Sequence, residues 1–97
     1  MHNDHGVELG SEAVLSVSLR ARLRRSADEL WVGLGDDFFV LTGPAIRMWE
    51  MIDGTTPLND IVSVVAKEYD VSESMVFDDA VESFAPLMDS GVLHVAS

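Results

Sequence analysis

Few residues in this 97-residue chain could do nucleophilic or metal chemistry, and they do not form a recognisable set. The absence of cysteine excludes disulfides, thiolate metal sites and a cysteine nucleophile. His2 and His5 flank Asp4, but two histidines on a loose tail make only a weak metal site. The remaining histidine, His94, lies near the other end, so no Ser-His-acid triad is indicated. We predict no metal site and no catalytic residue.

Two pairs of adjacent carboxylates, Asp36-Asp37 and Asp78-Asp79, could suggest acid–base chemistry. Sequence neighbours on a helix point about 100° apart, so Asp78 and Asp79 would not share a proton. The chain has no phosphate-binding glycine motif, and Gly33-Leu34-Gly35 is better explained as part of a hairpin. We therefore predict no enzyme activity and no cofactor.

Charge is unevenly distributed, with 17 acidic against six basic residues and a net charge of −11. Residues 20–25 hold four of the bases, whereas residues 48–97 hold ten acids and only Lys67. This acidity argues against nucleic acid as a partner, because phosphate binding needs clustered Lys and Arg. The asymmetry is explained either by a solvated surface that keeps the protein soluble or by a surface that orients a polar partner.

The first half of the chain has the period of strands. Residues 1–12 lack periodicity and predict a flexible tail before a domain over 13–97. Residues 15–23 alternate apolar and polar, which predicts one half-buried strand. A second strand is predicted around 30–34, and Gly35-Asp36-Asp37 signals a hairpin. The third strand, Phe38-Phe39-Val40-Leu41, is apolar on both faces.

The second half changes to the period of helices. Thr42 is predicted to cap the first helix, with Pro44 in its first turn and Gly54 at its end. Thr56-Pro57 repeats the start signal, and apolar residues from Leu58 to Tyr69 then follow helical spacing. These signals predict two short helices separated by a turn.

A third helix is predicted from the Ser72 cap to Gly91. Pro86 lies inside it and should kink the helix or end it early, because proline lacks the N–H that bonds the preceding turn. Residues 92–95 could form a short strand or a tail.

The predicted fold class is α+β and winged-helix-like: a three-stranded antiparallel sheet followed by three helices. Such a layout often binds DNA through the third helix. Here that helix carries five acids and no base, which disfavours contact with phosphate. No apolar run could span a membrane and no secretory signal is visible, so we expect a cytoplasmic protein that does not contact membranes.

A peptide-binding edge is the alternative function that the residues favour. A meander places its last strand at the edge, and residues 38–41 have none of the Lys, Pro or bulges that normally protect such an edge. An extended peptide could add to this strand, with Val76, Asp79 and Ser83 of the third helix as a second wall. The competing interpretation is that a helix or terminus covers the edge.

Residues 39–93 contain a series of short motifs in a fixed order: Val40-Leu41-Thr42, Ala45-Ile46, Trp49, Asp53-Gly54-Thr55, Ile61, Tyr69-Asp70-Val71, Val76, Asp79, Phe84, Leu87 and Gly91-Val92-Leu93. In their order and spacing these motifs resemble the PqqD-like family, the peptide recognition elements of pathways for ribosomally made natural products. Thr42 departs from the asparagine usual in the family, and Pro86 departs from its straight third helix.

The resemblance implies a non-catalytic protein that binds the leader of a precursor peptide and presents it to a modifying enzyme. The leader would pair with the third strand and contact the third helix, which implicates Phe38, Phe39, Val40, Leu41, Val76, Asp79 and Ser83. The stand-alone form is similar to recognition proteins of lasso-peptide clusters, which work with a leader peptidase and a cyclase. It is also similar to the pyrroloquinoline quinone chaperone, which works with a radical SAM enzyme. The alternative function is a winged-helix regulator that binds DNA or another protein.

Overall fold

The computed structural model describes residues 9–96, which form five strands and three helices. In chain order they are β1 (Leu15–Val17), β2 (Arg22–Arg25), β3 (Glu29–Leu34), β4 (Asp37–Thr42), α1 (Pro44–Glu50), α2 (Leu58–Tyr69), α3 (Glu73–Ser90) and β5 (Leu93–Val95). His2, Asp4 and His5, which the sequence offers only as a weak metal site, lie outside the described residues.

The main sheet is an antiparallel meander in the order β2-β3-β4. Leu34 pairs with Asp37 across the hairpin, so Gly35 and Asp36 form its two-residue turn. Gly35 has φ 61°, the left-handed conformation that glycine adopts without strain at the first turn position. The predicted α+β class, a three-stranded antiparallel sheet followed by three helices, is confirmed.

The prediction of a single strand over residues 15–23 is wrong. The chain turns after β1, where Ala21 donates its N–H to the Ser18 carbonyl and Arg20 donates to the Ser18 hydroxyl. Ser18 thus offers the backbone a local alternative to the strand ladder. Leu19, expected on the buried face, is fully exposed. β1 instead pairs with β5 in a separate two-stranded sheet.

The start and end of α1 also differ from the prediction. Thr42 is the last residue of β4, and the residue before the helix is Gly43, with φ 56° and no side-chain cap. Pro44 opens the helix as expected. The helix ends at Glu50, so Gly54 lies in the following turn rather than at the helix end.

A compact turn connects α1 to α2. The Asp53 carboxylate accepts hydrogen bonds from the N–H and hydroxyl groups of both Thr55 and Thr56. These donors, the backbone N–H groups first, lower the pKa of Asp53 to about 2. Gly54 donates its N–H to the Leu15 carbonyl, which ties the turn to β1. α2 begins directly after it at Leu58.

The third helix has the caps that the sequence predicts. The Ser72 hydroxyl accepts the Met75 N–H, and Gly91 ends the helix with φ 92°. Pro86 does not end the helix early, because α3 continues to Ser90. The Pro86 side chain lies on the exposed side of the helix, where water can satisfy the carbonyl that the missing N–H leaves without a donor.

The core lies between the inner face of the main sheet and the three helices. Phe84 of α3 is fully buried, and Val32, Met48, Leu58 and Leu93 bring β3, α1, α2 and β5 to the same cluster. Residues 92–95, for which the sequence left a strand or a tail open, contribute β5.

The core also reaches into the predicted tail. Leu9 is buried, and the Ser11 carbonyl accepts the Asn59 N–H. The packed region therefore includes residues before the predicted boundary at residue 13. Among the described residues, no helix is long and apolar enough to cross a bilayer.

Candidate functional site

The free edge of β4 is the feature on which the candidate site is built. β4 pairs only with β3 among residues 9–96, so its other edge has no strand beside it. In a two-residue hairpin the residues flanking the turn, here Leu34 and Asp37, exchange both hydrogen bonds, and the pattern then alternates. The N–H and C=O groups of Phe38, Val40 and Thr42 therefore point toward the free edge.

The side chains of β4 divide between the two faces of the sheet. Phe38 is 61% exposed and Val40 is also exposed, so both lie on the outer face. Phe39 is partly buried against the core, and Leu41, at 3% exposure, belongs to the core itself. Phe39 and Leu41, both implicated in leader binding by the sequence, alternate with Phe38 and Val40 along the strand. The structure places both on the inner face.

The three predicted helix residues differ in how far they reach the surface. Asp79 and Ser83 are partly exposed, one turn apart on α3. Val76 is 2% exposed and packs in the core. Val76 therefore contributes to a groove only as its floor, and a charge at this position would be buried in the core.

A hollow of about 540 Å³ lies beside the first half of α3, next to the point where β4 ends. Its lining combines apolar side chains with three carboxylates: Pro44, Tyr69, Val71, Met75, Val76, Asp78, Asp79 and Glu82. Burial raises the pKa of the Asp79 carboxyl, and the nearby Glu82 charge adds to the effect. An acidic rim on an apolar floor suits a basic side chain with an aliphatic stem.

The seven predicted site residues do not line one pocket. Val76 and Asp79 meet at the hollow beside α3. Phe38 lines a different hollow on the outer face of the sheet, with Trp31 and Arg22. α3 does contact β4, so the strand edge and the helix are neighbours. The arrangement is an open edge with a hollow at its end rather than an enclosed cavity.

Sequence reasoning missed several residues of these surfaces. Met75 and Tyr69 were not predicted as site residues, yet both are exposed at the hollow beside α3. Trp31 was not predicted as a site residue either, yet it is 41% exposed on the outer face. Strict alternation with buried Leu30 and Val32 could have identified Trp31 as outward-facing.

The chemistry available at the site is recognition. Within residues 9–96 no group of three or more His, Asp or Glu side chains could hold a metal ion. His94 is exposed on β5, where it pairs with Ser16. It therefore belongs to the two-stranded sheet and not to the main sheet that contains β4. The edge offers backbone hydrogen bonds, apolar contacts and carboxylates, which are the elements of strand addition.

One comparison with known proteins identifies a family. The family model described as coenzyme PQQ synthesis protein D (PqqD) matches residues 34–93, which is more than half of the chain. The match begins at the hairpin before β4 and ends at the start of β5. Neither the curated proteins nor the solved structures include a match to the chain.

Proposed function

Because the chain belongs to the PqqD family, whose members are peptide-binding recognition elements for ribosomally made peptides, we propose that it binds the leader segment of a precursor peptide. The leader adds as a strand to β4 and is presented to a modifying enzyme. One observation carries this proposal: the β4 edge is unpaired among the described residues, on a strand that contacts α3.

The backbone of β4 supplies the affinity in this proposal. The outward N–H and C=O groups of Phe38, Val40 and Thr42 pair with the leader backbone, whatever its sequence. Specificity comes from the leader side chains, which alternate between the two faces of the extended sheet. On the outer face they lie beside Phe38 and Val40, and on the inner side they lie toward α3.

The helix supplies the second wall. Asp79 and Ser83 contact the leader directly, while Val76, Leu41 and Phe39 support the surface from the core side. The acidic rim of the hollow beside α3 favours a leader with a basic residue at that point, because Asp78, Asp79 and Glu82 converge there.

The modifying enzyme is a leader peptidase, a cyclase or a radical SAM enzyme. A lasso-peptide pathway would supply the first two, and a pathway like that of pyrroloquinoline quinone would supply the third. We propose that the chain acts in the cytoplasm, where precursor peptides are made. The genes beside the one for this chain decide between these partners.

Titration with the leader peptide encoded by a neighbouring short reading frame tests the function. We expect a Kd of micromolar or below, about −8 kcal/mol, and no binding of a scrambled leader of equal charge. If none of the leader peptides encoded by neighbouring reading frames binds, the proposal is refuted. Retention on duplex DNA at low salt, where electrostatic binding is strongest, would instead support a DNA-binding regulator.

A further inference from the structure

The outer face of the main sheet carries a second surface, which adjoins the β4 edge and shares Phe38 and Val40 with it. Two rows of paired residues cross the sheet, and they are Arg22–Gly33–Phe38 and Arg24–Trp31–Val40. The five side chains of these rows lie on the outer face of the sheet. Each row places an arginine on β2 and an apolar side chain on β4, so positive charge and apolar area alternate across one surface.

The first row is held in place by several contacts. The Arg22 guanidinium donates to the Gly35 carbonyl at 2.6 Å and lies 5.8 Å from the centre of the Phe38 ring. A Cβ at Gly33 would come within 2.9 Å of the Phe38 ring, so glycine lets that ring lie across β3. The aromatic group is therefore positioned on the sheet and not free to turn away.

The second row leaves its groups available. Trp31 is 41% exposed and donates its indole N–H to the Glu29 carboxylate. Within residues 9–96 the Arg24 side chain has neither a hydrogen-bond nor an ion-pair partner. Between the two rows lies a hollow of about 650 Å³ lined by Trp31, Phe38 and both arginines. Exposed Trp, Phe and Arg together are the composition of interface hot spots.

The charge of the outer face indicates what kind of partner could bind there. Arg22 and Arg24 outnumber Glu29 on the outer face of a chain of net charge −11, so an acidic surface with an apolar anchor complements it. A second copy is disfavoured because two chains of this charge repel. Contact between the outer face of one copy and the acidic α3 of another would also be head-to-tail, which gives a ring or an open filament and not a two-fold dimer.

We propose that the outer face docks an acidic surface of the modifying enzyme, with an apolar side chain of the enzyme seated between Trp31 and Phe38. This proposal rests on the proposed function for the identity of the partner, but it assigns a different surface. A leader added to β4 would widen the same sheet, so an enzyme on the outer face would lie beside the bound leader. Docking and leader binding then become neighbouring but separable events.

Two variants test the docking surface, Trp31→Ala and Arg24→Glu, with Lys67→Glu on α2 as a matched charge control. The probe is each purified modifying enzyme encoded beside this chain, titrated by calorimetry with and without the leader. We expect each test variant to weaken enzyme binding at least tenfold and to leave leader affinity within about twofold. The Lys67 variant should change neither, and higher salt should weaken enzyme binding.

Several outcomes would overturn the proposal. These are no enzyme binding by the folded wild type, equal binding by wild type and both test variants, or an equal loss in the Lys67 variant. Dimerisation in sedimentation that Trp31→Ala abolishes would assign the face to a second copy. The two proposals fail separately: loss of leader binding alone refutes the function, and enzyme titration without leader still tests the docking surface.

Discussion

β2 and β4 are the outer strands of the main sheet, and each lacks a second neighbouring strand among residues 9–96. Their sequences differ in how well they protect these free edges. β2 reads Arg-Leu-Arg-Arg, and every residue in it is exposed. β4 reads Asp-Phe-Phe-Val-Leu-Thr, with no cation and no proline. Charged side chains deter strand addition, whereas an apolar edge permits it. One sheet thus has a protected edge and an open one, and the open one belongs to the strand that contacts α3.

β4 and β2 also differ in how far their side chains pack against the core. β4 sends Leu41 and Phe39 inward, while Leu23 of β2 remains largely exposed. Arg25 of β2 reaches Glu50 of α1 at 2.6 Å, a surface ion pair. β4 therefore packs on the core and also carries the proposed binding edge, whereas the side chains of β2 lie on the surface.

The largest expected effect is on stability. Leu41→Ala should lower the free energy of unfolding by about 2–5 kcal/mol, since it opens a cavity beneath β4. Leu23→Ala, on the exposed strand, should cost under about 0.5 kcal/mol. Urea unfolding of both variants measures the difference. Equal losses would mean that β2 packs as closely as β4.

The next effect is on leader binding. Val40→Pro removes one outward N–H of β4 without breaking its pairing with β3, so leader affinity should fall about a hundredfold, ~2.7 kcal/mol. Leu23→Pro makes the same change at an outward position of β2 and should leave affinity unchanged. Circular dichroism confirms that both variants fold. A leader that binds both equally well would show that β4 is not the edge used.

A smaller effect is expected at the end of the open edge. Asp79→Asn should weaken binding of a basic leader by about three- to tenfold, because it removes one carboxylate from the hollow. Ionised Asp79 is disfavoured by burial and by Glu82, so the variant should be at least as stable as the wild type at neutral pH. Asp60→Asn on α2 is the control and should not change affinity.

The difference in stability between Asp79→Asn and the wild type should depend on pH. The pKa of Asp79 is raised in the folded state, so its ionisation opposes folding at neutral pH and its protonation relieves this as the pH falls. The stability advantage of Asp79→Asn should therefore shrink toward acidic pH. Thermal melts of both proteins from neutral to acidic pH measure it, and a constant advantage would contradict the assignment.

The smallest effect concerns the turn that holds the helices to β1. The pKa of Asp53 is lowered to about 2, so the stability that its ionised form supplies is present above about pH 4 and is lost as the pH falls toward 2. Asp53→Ala should have a lower Tm at neutral pH, and its difference from wild type should narrow across that interval. An unchanged Tm would show that the threonine contacts do not stabilise the turn.

The sequence predicted most where a pattern was local. The α2 stripe of Leu58, Ile61 and Val65 is buried as expected, and the Ser72 cap and the Gly35 turn are where their residue types place them. It failed where two local signals competed. Alternation favoured one strand over 15–23, but the hydrogen bonds to Ser18 end β1 and expose Leu19.

The position of β4 at the sheet edge was also predicted, because a meander leaves its last strand outside. The sequence did not predict which residues of α3 reach the surface. Val76 and Asp79 are one turn apart, and helical spacing alone gives both a place near the same face. Packing of α3 on β4, α1 and α2 buries Val76 and leaves Asp79 at the hollow.

By itself the sequence determined the order of strands and helices, the acidic character of the helical half and the unprotected chemistry of residues 38–41. These follow from periodicity, charge and local caps, which depend on residues a few positions apart. Only the tertiary structure decided that β1 pairs with β5, and that Trp31 joins Phe38 and two arginines on one face. The first pairing joins segments far apart in the chain, and the shared face depends on the register of three strands at once, so no single local pattern encodes either.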